Sequence, residues 1–163
     1  MSKNHKVLLF DDRLQVRTSL EEKFKENGID VFPCRTVYEA NDLWENMQEK
    51  IDVIVLDMMM SSSGLTDGER AMTRAGLLTG WVWLWSALNP NKDDIHPAND
   101  KCIVIYTAYY EDFKDYINSE QACQSESDFF TKKVKLIEKG YDNNEDTVVN
   151  YVISTLAHNK TKL

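Results

Sequence analysis

Short apolar runs alternate with amphipathic segments along the chain, and this alternation predicts the secondary structure. Residues 53–57, Val-Ile-Val-Leu-Asp, are apolar without alternation, which is typical of a strand covered on both faces. Val16, Leu20 and Phe24 recur at four-residue steps, as expected for one face of a helix. The pattern predicts strands at residues 6–11, about 30–35, 52–57, 102–106 and about 128–131.

Helices are predicted between these strands and after the last one. They cover residues of about 15–27, 36–49, 80–88, 110–120 and 145–157. Strands that alternate with helices in this way form a parallel sheet, and right-handed crossovers place the helices on both of its faces. We therefore expect a doubly wound α/β fold that forms one domain over residues 1–163.

The polar residues at the ends of the predicted strands give the strongest functional signal. Asp11 and Asp12 end the first strand and Asp57 ends the third, while Thr107 and Lys132 follow the fourth and fifth. The carboxyl ends of neighbouring parallel strands converge on one crevice, where open α/β sheets bind ligands. Three crowded carboxylates repel one another unless a hard cation lies among them. They therefore indicate a Mg²⁺ site of the kind that handles phosphoryl groups.

Composition narrows the classes of partner and the compartment. The net charge of −8 argues against general binding to a nucleic acid backbone, which requires a basic patch. The three cysteines, Cys34, Cys102 and Cys123, lack metal-ligand spacing, and their odd number suits a reducing cytoplasm. The N-terminus does not have the pattern of a signal peptide, and no apolar stretch is long enough to span a membrane.

The order of these strand-end residues resembles that of receiver domains of two-component response regulators. The resemblance extends over nearly the whole chain and rests on Asp11-Asp12, Asp57, Thr107-Ala108 and Lys132. It implies a flavodoxin-like (βα)5 fold with strand order 2-1-3-4-5. It also implies that Asp57 accepts a phosphoryl group from a sensor histidine kinase or a phosphotransfer protein.

The same resemblance assigns a role to each matching position. Asp12 and Asp57 would bind Mg²⁺ directly with the backbone carbonyl of Met59, and Asp11 would reach the metal through water. Lys132 would supply a cation to the phosphate and Thr107 a hydroxyl hydrogen bond.

Two positions near the predicted fifth strand follow from the same comparison. Phe129 would be the switch aromatic, which lies three residues before the family's lysine and moves together with Thr107. The family's lysine usually precedes a proline, but Lys133 follows Lys132 here, so Lys133 is the alternative candidate.

The segment after the third strand is longer than the family pattern by about a dozen residues. Either Asp67-Gly68 or Thr79-Gly80 could correspond to the family's Asp-Gly before the next helix. We prefer Gly80, because an apolar helix follows it directly. This choice makes residues of about 61–79 an insertion beside the site.

The helix that begins near Gly80 carries three tryptophans. The resemblance implies that Trp83 and Leu84 face the sheet, whereas Trp81 and Trp85, which are four residues apart, share another face of the helix. Either the preceding loop covers Trp81 and Trp85, which we favour slightly, or they form an exposed aromatic patch for a partner or a second copy.

These features favour a stand-alone response regulator, which is a phosphorylation-controlled switch and not a metabolic enzyme. Its output would pass through an unidentified protein partner, and a homodimer remains open. The alternative is a pseudo-receiver, a scaffold that binds partners without phosphoryl chemistry. A third class, the Mg²⁺-dependent hydrolases with an aspartate nucleophile, usually carries a second aspartate where this chain has Met59, which argues against it. The resemblance also implies that Met59 and Tyr109 flank the path of an attacking water. Both side chains are large and neither is a carboxylate or amide that could orient the water, so we expect slow self-dephosphorylation.

Overall fold

A computed structural model describes residues 4–88, 101–140 and 144–160. Its five strands form one parallel sheet in the order β2-β1-β3-β4-β5, which confirms the predicted fold class and strand order. The strands are β1 (Lys6–Phe10), β2 (Asp30–Cys34), β3 (Val53–Leu56), β4 (Cys102–Thr107) and β5 (Val134–Glu138). The helices are α1 (Leu14–Glu26), α2 (Val37–Met47), α3 (Asp67–Met72), α4 (Thr79–Leu88), α5 (Tyr110–Ile117), α6 (Gln124–Lys133) and α7 (Glu145–Lys160).

The central strands are buried on both faces, as their continuous apolar runs predict. In β1, Leu8 and Phe10 belong to the core layer on one face, and Val7 and Leu9 belong to the layer on the other. Helices α1 and α7 cover the second layer, whereas α2, α4, α5 and α6 cover the first. This alternation fixes the register, because a shift by one residue would exchange the two layers.

The predicted position of the fifth strand is wrong. Residues 128–131 lie within α6, and the edge strand β5 begins only at Val134. In β5, Lys135 and Glu138 are exposed while Ile137 is buried. Successive side chains of a strand point to opposite faces, so Lys135 and Glu138 lie on different faces and both faces of this edge strand are partly solvated. Its apolar run is therefore short and interrupted. The Phe129-Phe130 pair has the aromatic composition of a strand, but tertiary packing holds it in a helix.

The tryptophans of α4 have different surroundings. Trp83 lies against the sheet, with its ring centre 5.3 Å from that of Phe10, as predicted. Trp81 is only 1% exposed, so it cannot belong to an exposed aromatic patch. The rings that pack against it come from Phe113 of α5 and from Phe129 and Phe130 of α6, with ring centres 5.3, 6.1 and 6.3 Å away. The favoured prediction, that the preceding loop covers Trp81 and Trp85, therefore did not include these two helices. Trp85 is half-buried, with its ring centre 5.8 Å from that of Phe129.

The lengths and hydropathies of the described helices can be compared with those of membrane-spanning helices. Within residues 4–88, 101–140 and 144–160, none combines the length and the hydropathy that crossing a bilayer requires.

The fold predicts different reactivities for the three cysteines. Burial raises the pKa of Cys34 to about 12 and that of Cys102 to about 11, whereas Cys123 is exposed. Since the thiolate is the reactive form, iodoacetamide at about pH 8 should modify one cysteine in the folded protein and three after unfolding. Intact mass would count the adducts. Cys123→Ser should leave no reactive thiol in the folded protein, and a second adduct before unfolding would contradict this assignment.

Candidate functional site

Backbone hydrogen bonds that continue the sheet place two aspartates at its carboxyl edge. The N–H of Asp57 donates to the carbonyl of Phe10 (2.9 Å), and the N–H of Asp11 donates to the carbonyl of Cys34 (3.1 Å). Both side chains are buried, with 2% and 4% of Asp11 and Asp57 exposed, while Asp12 beside them is exposed. One carboxylate oxygen from each of the three lies within 4.8 Å of the others. The structure therefore brings the three predicted acids together.

The cation at this cluster is Lys139, which directly follows β5. Its Nζ lies 2.6 Å from Oδ2 of Asp11 and 2.5 Å from Oδ2 of Asp57, and only 7% of its side chain is exposed. The N–H of Lys139 donates to the carbonyl of Thr107 (2.9 Å), so the β4–β5 ladder fixes its backbone. An ammonium group thus links two nearly buried carboxylates, where removal of one partner typically costs about 3–5 kcal/mol.

The predicted lysine was therefore the wrong one. Lys132 is exposed on α6, and its alternative Lys133 is the last residue of that helix. Both assignments followed from placing the fifth strand too early. The sequence did contain a signal, since Val134–Glu138 is a short run rich in β-branched and aliphatic residues that ends in Lys139-Gly140.

Phe129 does not occupy the place predicted for a switch aromatic. It lies in α6 and packs against Trp85 and Trp81. The position three residues before Lys139 is Leu136, which is half-buried and aliphatic. Thr107 does lie at the end of β4, fully buried, and its hydroxyl oxygen accepts a hydrogen bond from the N–H of Tyr109 (3.1 Å).

The loop after β3 is held against the first turn of α4. The carbonyl of Met58 accepts from the N–H of Gly80 (3.1 Å), and the carbonyl of Met60 accepts from the hydroxyl of Thr79 (2.9 Å). The N–H of Met58 donates to Oδ1 of Asp57 (2.6 Å). These bonds fix both neighbours of Met59, the residue whose carbonyl is predicted to bind the metal.

Gly80 is essential to this arrangement because it has no side chain. A Cβ at Gly80 would lie 1.9 Å from the carbonyl oxygen of Asp57, whereas a Cβ at Gly68 would meet nothing within 4 Å. The close approach of α4 to the end of β3 therefore needs a glycine at position 80, which agrees with the preference for Gly80 over Gly68.

The electrostatics of the cluster favour a further cation. Burial raises the pKa of Asp11, Lys139 lowers it, and the neighbouring charge of Asp57 raises it again, with a net increase. Apart from this pKa, the cluster holds three carboxyl groups against the one ammonium group of Lys139, so one lysine cannot balance three ionised acids. Carboxylate oxygens and a backbone carbonyl are the hard ligands that Mg²⁺ prefers, with waters completing its coordination. The donor set of Asp11, Asp12, Asp57 and the Met59 carbonyl therefore fits Mg²⁺.

Comparison with solved structures identifies the architecture. A signal receiver domain of a putative LuxO repressor protein from Vibrio parahaemolyticus matches with a TM-score of 0.59 and 19% identity, covering 98% of this chain and 95% of that one. A response regulator receiver domain protein from Clostridium thermocellum matches with a TM-score of 0.58 and 12% identity, covering 98% and 99%. The chain has the fold of a receiver domain.

A third similar structure carries a ligand. The response regulator protein TrrA from Thermotoga maritima, in complex with Mg²⁺ and BeF, matches with a TM-score of 0.55 and 17% identity, covering 91% of this chain and 98% of that one. No protein-family model matches the sequence, and neither does any curated protein. At these identities, the comparisons establish the receiver fold. The chemistry of the site must be inferred from its residues.

Substitution of Gly80 by alanine tests the contact between α4 and β3. The Cβ would force the backbone of Asp57 or the first turn of α4 to move, so we expect Gly80→Ala to destabilise the fold by about 1–3 kcal/mol or more. The free energy of unfolding in urea would measure this effect. Gly68→Ala is the matched control, since it adds a methyl group to an exposed helix and should be neutral or slightly stabilising. Equal effects of the two substitutions would contradict the close approach.

Proposed function

We propose that this chain is a phosphorylation-controlled switch in which Asp57 accepts a phosphoryl group. The main support is the meeting of three carboxylates with Lys139 at the carboxyl edge of a receiver-type sheet. Such a site combines a nucleophile, ligands for a divalent cation and a fixed positive charge. Phosphoryl transfer needs little more, because its catalysis is mostly positioning and charge stabilisation.

Each residue has a role in this proposal. Asp12, Asp57 and the Met59 carbonyl would hold Mg²⁺ directly, and Asp11 would hold it through water. Bound there, Mg²⁺ would offset negative charge on the phosphoryl oxygens. The complex of TrrA with Mg²⁺ and BeF supports this choice of metal.

The transfer step follows from the chemistry of a carboxylate nucleophile. A carboxylate oxygen of Asp57 attacks the phosphorus of a phosphohistidine, the bond from phosphorus to the imidazole nitrogen breaks, and the nitrogen keeps the electron pair. The donor would be a sensor histidine kinase or a phosphotransfer protein. Lys139, which already pairs with Asp57, would then pair with the phosphate, and Thr107 would donate its hydroxyl to the phosphate.

The route from the site to an output surface differs from the one that the sequence predicted. Leu136 stands where the switch aromatic was expected, so movement of Thr107 has no aromatic partner at that position. Gly80 instead places the start of α4 in contact with Asp57, and Trp81 follows directly. We propose that a change at Asp57 moves α4 and the helices packed on it, and that an unidentified cytoplasmic protein or a second copy reads this change.

The absence of an aromatic residue at Leu136 also favours a second candidate, a pseudo-receiver scaffold. In that case the pairing of Lys139 with Asp11 and Asp57 would be permanent and would serve stability alone. The two candidates differ in whether Asp57 becomes phosphorylated.

Phosphorylation by a small donor separates them. The protein incubated with acetyl phosphate and Mg²⁺ should gain one phosphoryl group, measured by intact mass, and Asp57→Asn should gain none. Lys139→Ala should lower the yield or rate by about tenfold or more, because the phosphate loses its fixed cation.

Lys132→Ala is the matched control, since it removes an exposed lysine that lies outside the site. Circular dichroism would verify that each variant is folded. No adduct on the wild-type protein would favour the scaffold. Equal losses in the two lysine variants would refute the assignment of Lys139.

The phosphorylated form is expected to be long-lived. Met59, which is 40% exposed, and Tyr109 offer no carboxylate or amide to orient an attacking water. Met59→Asn should therefore hasten hydrolysis by about tenfold or more, read as the decay of the phosphorylated mass after donor removal. Met72→Asn changes another exposed methionine away from the carboxylates and should leave the rate unchanged. If the phosphorylated wild-type protein decayed as fast as the Met59→Asn variant, this expectation would be wrong.

A further inference from the structure

A cavity that is separate from the carboxylate cluster opens among the helices on one face of the sheet. It has a volume of about 300 Å³, and the side chains that give it chemical character are Glu69, Met72, Trp81, Trp85, Tyr116 and Glu126. These come from α3, α4, α5 and α6, so the cavity depends on two helices, α3 and α6, that the sequence did not predict.

Glu126 is a buried acid whose hydrogen-bond donors among the described residues are all neutral. It is 7% exposed, and its Oε1 accepts from Nε1 of Trp81 (2.8 Å) and from the hydroxyl of Tyr116 (3.2 Å). Its Oε2 accepts from the N–H of Cys123 (2.9 Å). Within the described parts of the chain, no basic side chain forms an ion pair with it. A buried carboxylate of this kind is complementary to a cation.

Glu69 adds a second negative charge to the lining of the cavity. Its carboxylate accepts from the hydroxyl of Ser86 (2.6 Å) and from the N–H and hydroxyl of Thr66 (2.8 and 2.9 Å). Burial alone would raise the pKa of Glu69, but these hydrogen bonds outweigh it and hold the pKa below its usual value. Glu69 is therefore ionised at neutral pH.

The rest of the lining suits an aliphatic chain that ends in a cation. Trp81, Trp85 and Tyr116 supply aromatic rings, which attract ammonium and guanidinium groups. Met72 is 56% exposed and adds a flexible apolar contact for a methylene stem. The chain itself gives a precedent, because the guanidinium of Arg74 lies 4.9 Å from the centre of the Tyr116 ring.

We propose that this cavity binds an alkyl cation, a guanidinium or ammonium group on a short aliphatic stem. The cation would lie between Glu126 and Glu69, and the stem would contact Met72 and the tryptophans. The ligand is either a free small amine or a basic side chain of a partner protein. The proposal does not depend on phosphorylation of Asp57.

Titration with butylguanidinium, followed by NMR of the tryptophan indole N–H groups, tests the site. The 163-residue chain would be used without phosphodonor and with a chelator, so that the result does not depend on phosphorylation of Asp57. The Trp81 signal should shift in a saturable way, because its Nε1 donates to Glu126. Butylurea, which is neutral and similar in shape, should bind at least tenfold more weakly. Equal binding of the two compounds, or no saturable shift, would overturn the proposal.

Substitutions of the two glutamates test which negative charge contributes to binding of the cation. Glu126→Gln keeps an acceptor for Trp81 and Tyr116 but removes the charge, so the dissociation constant should rise at least tenfold. Glu120→Gln, at an exposed acid outside the lining, should leave it unchanged. Should Glu126→Gln fail to fold, Glu69→Gln serves as the second variant and should raise the constant severalfold. Unchanged affinity in a folded Glu126→Gln protein would refute the role of this charge.

A capped Ala-Arg-Ala peptide distinguishes the two sources of the ligand. Binding as tight as that of butylguanidinium would support a basic side chain of a partner protein. Exclusion of the peptide, while butylguanidinium still binds, would support a free small cation. Binding of neither compound would overturn the proposal.

Discussion

The pairing of Lys139 with Asp11 and Asp57 organises the carboxyl edge of the sheet. Two nearly buried carboxylates next to a third acid would repel one another in a medium of low polarity, and the lysine between them offsets part of that repulsion. The contact also connects β1, β3 and the end of β5, so the edge strand must be in register for the site to exist. Stability and candidate chemistry thus depend on the same three side chains.

The close approach of Gly80 to Asp57 is the second constraint on the structure. It connects the carboxylate cluster to helix α4 and to the helices that pack on α4. With no side chain at this position, the first turn of α4 lies against the backbone of Asp57. The next residue, Trp81, packs against Phe113 and donates to Glu126. Trp81, Phe113, Phe129 and Phe130 form an aromatic cluster. A displacement at Asp57 would move this cluster and the cavity beside it, because a closely packed interior transmits strain.

The aromatic cluster also explains why α6 is a helix. Phe129 and Phe130 have high strand propensity, yet both pack on Trp81, and the first turn of α6 is held by the hydrogen bond from the N–H of Cys123 to Glu126. Strand propensity reflects packing on a pleated surface more than an intrinsic backbone preference. Here helical packing on α4 satisfies both rings, and the edge strand falls to the less apolar residues that follow.

The sheet order was implied by the resemblance to receiver domains. The sequence by itself determined the alternation of strands and helices, the position of Asp11, Asp12, Asp57 and Thr107 at the ends of strands, and the preference for Gly80. These features follow from local patterns, namely apolar runs that end in polar residues and a glycine before an apolar helix. Only the tertiary structure decided which lysine reaches the acids, that Leu136 replaces an aromatic residue, and that α5 and α6 cover Trp81. The physical reason is that contacts between residues far apart in the chain decide between a strand and a helix here. The local pattern of Val134–Glu138 was compatible with a strand, but it could not rank this segment above the more apolar Phe129-Phe130 segment.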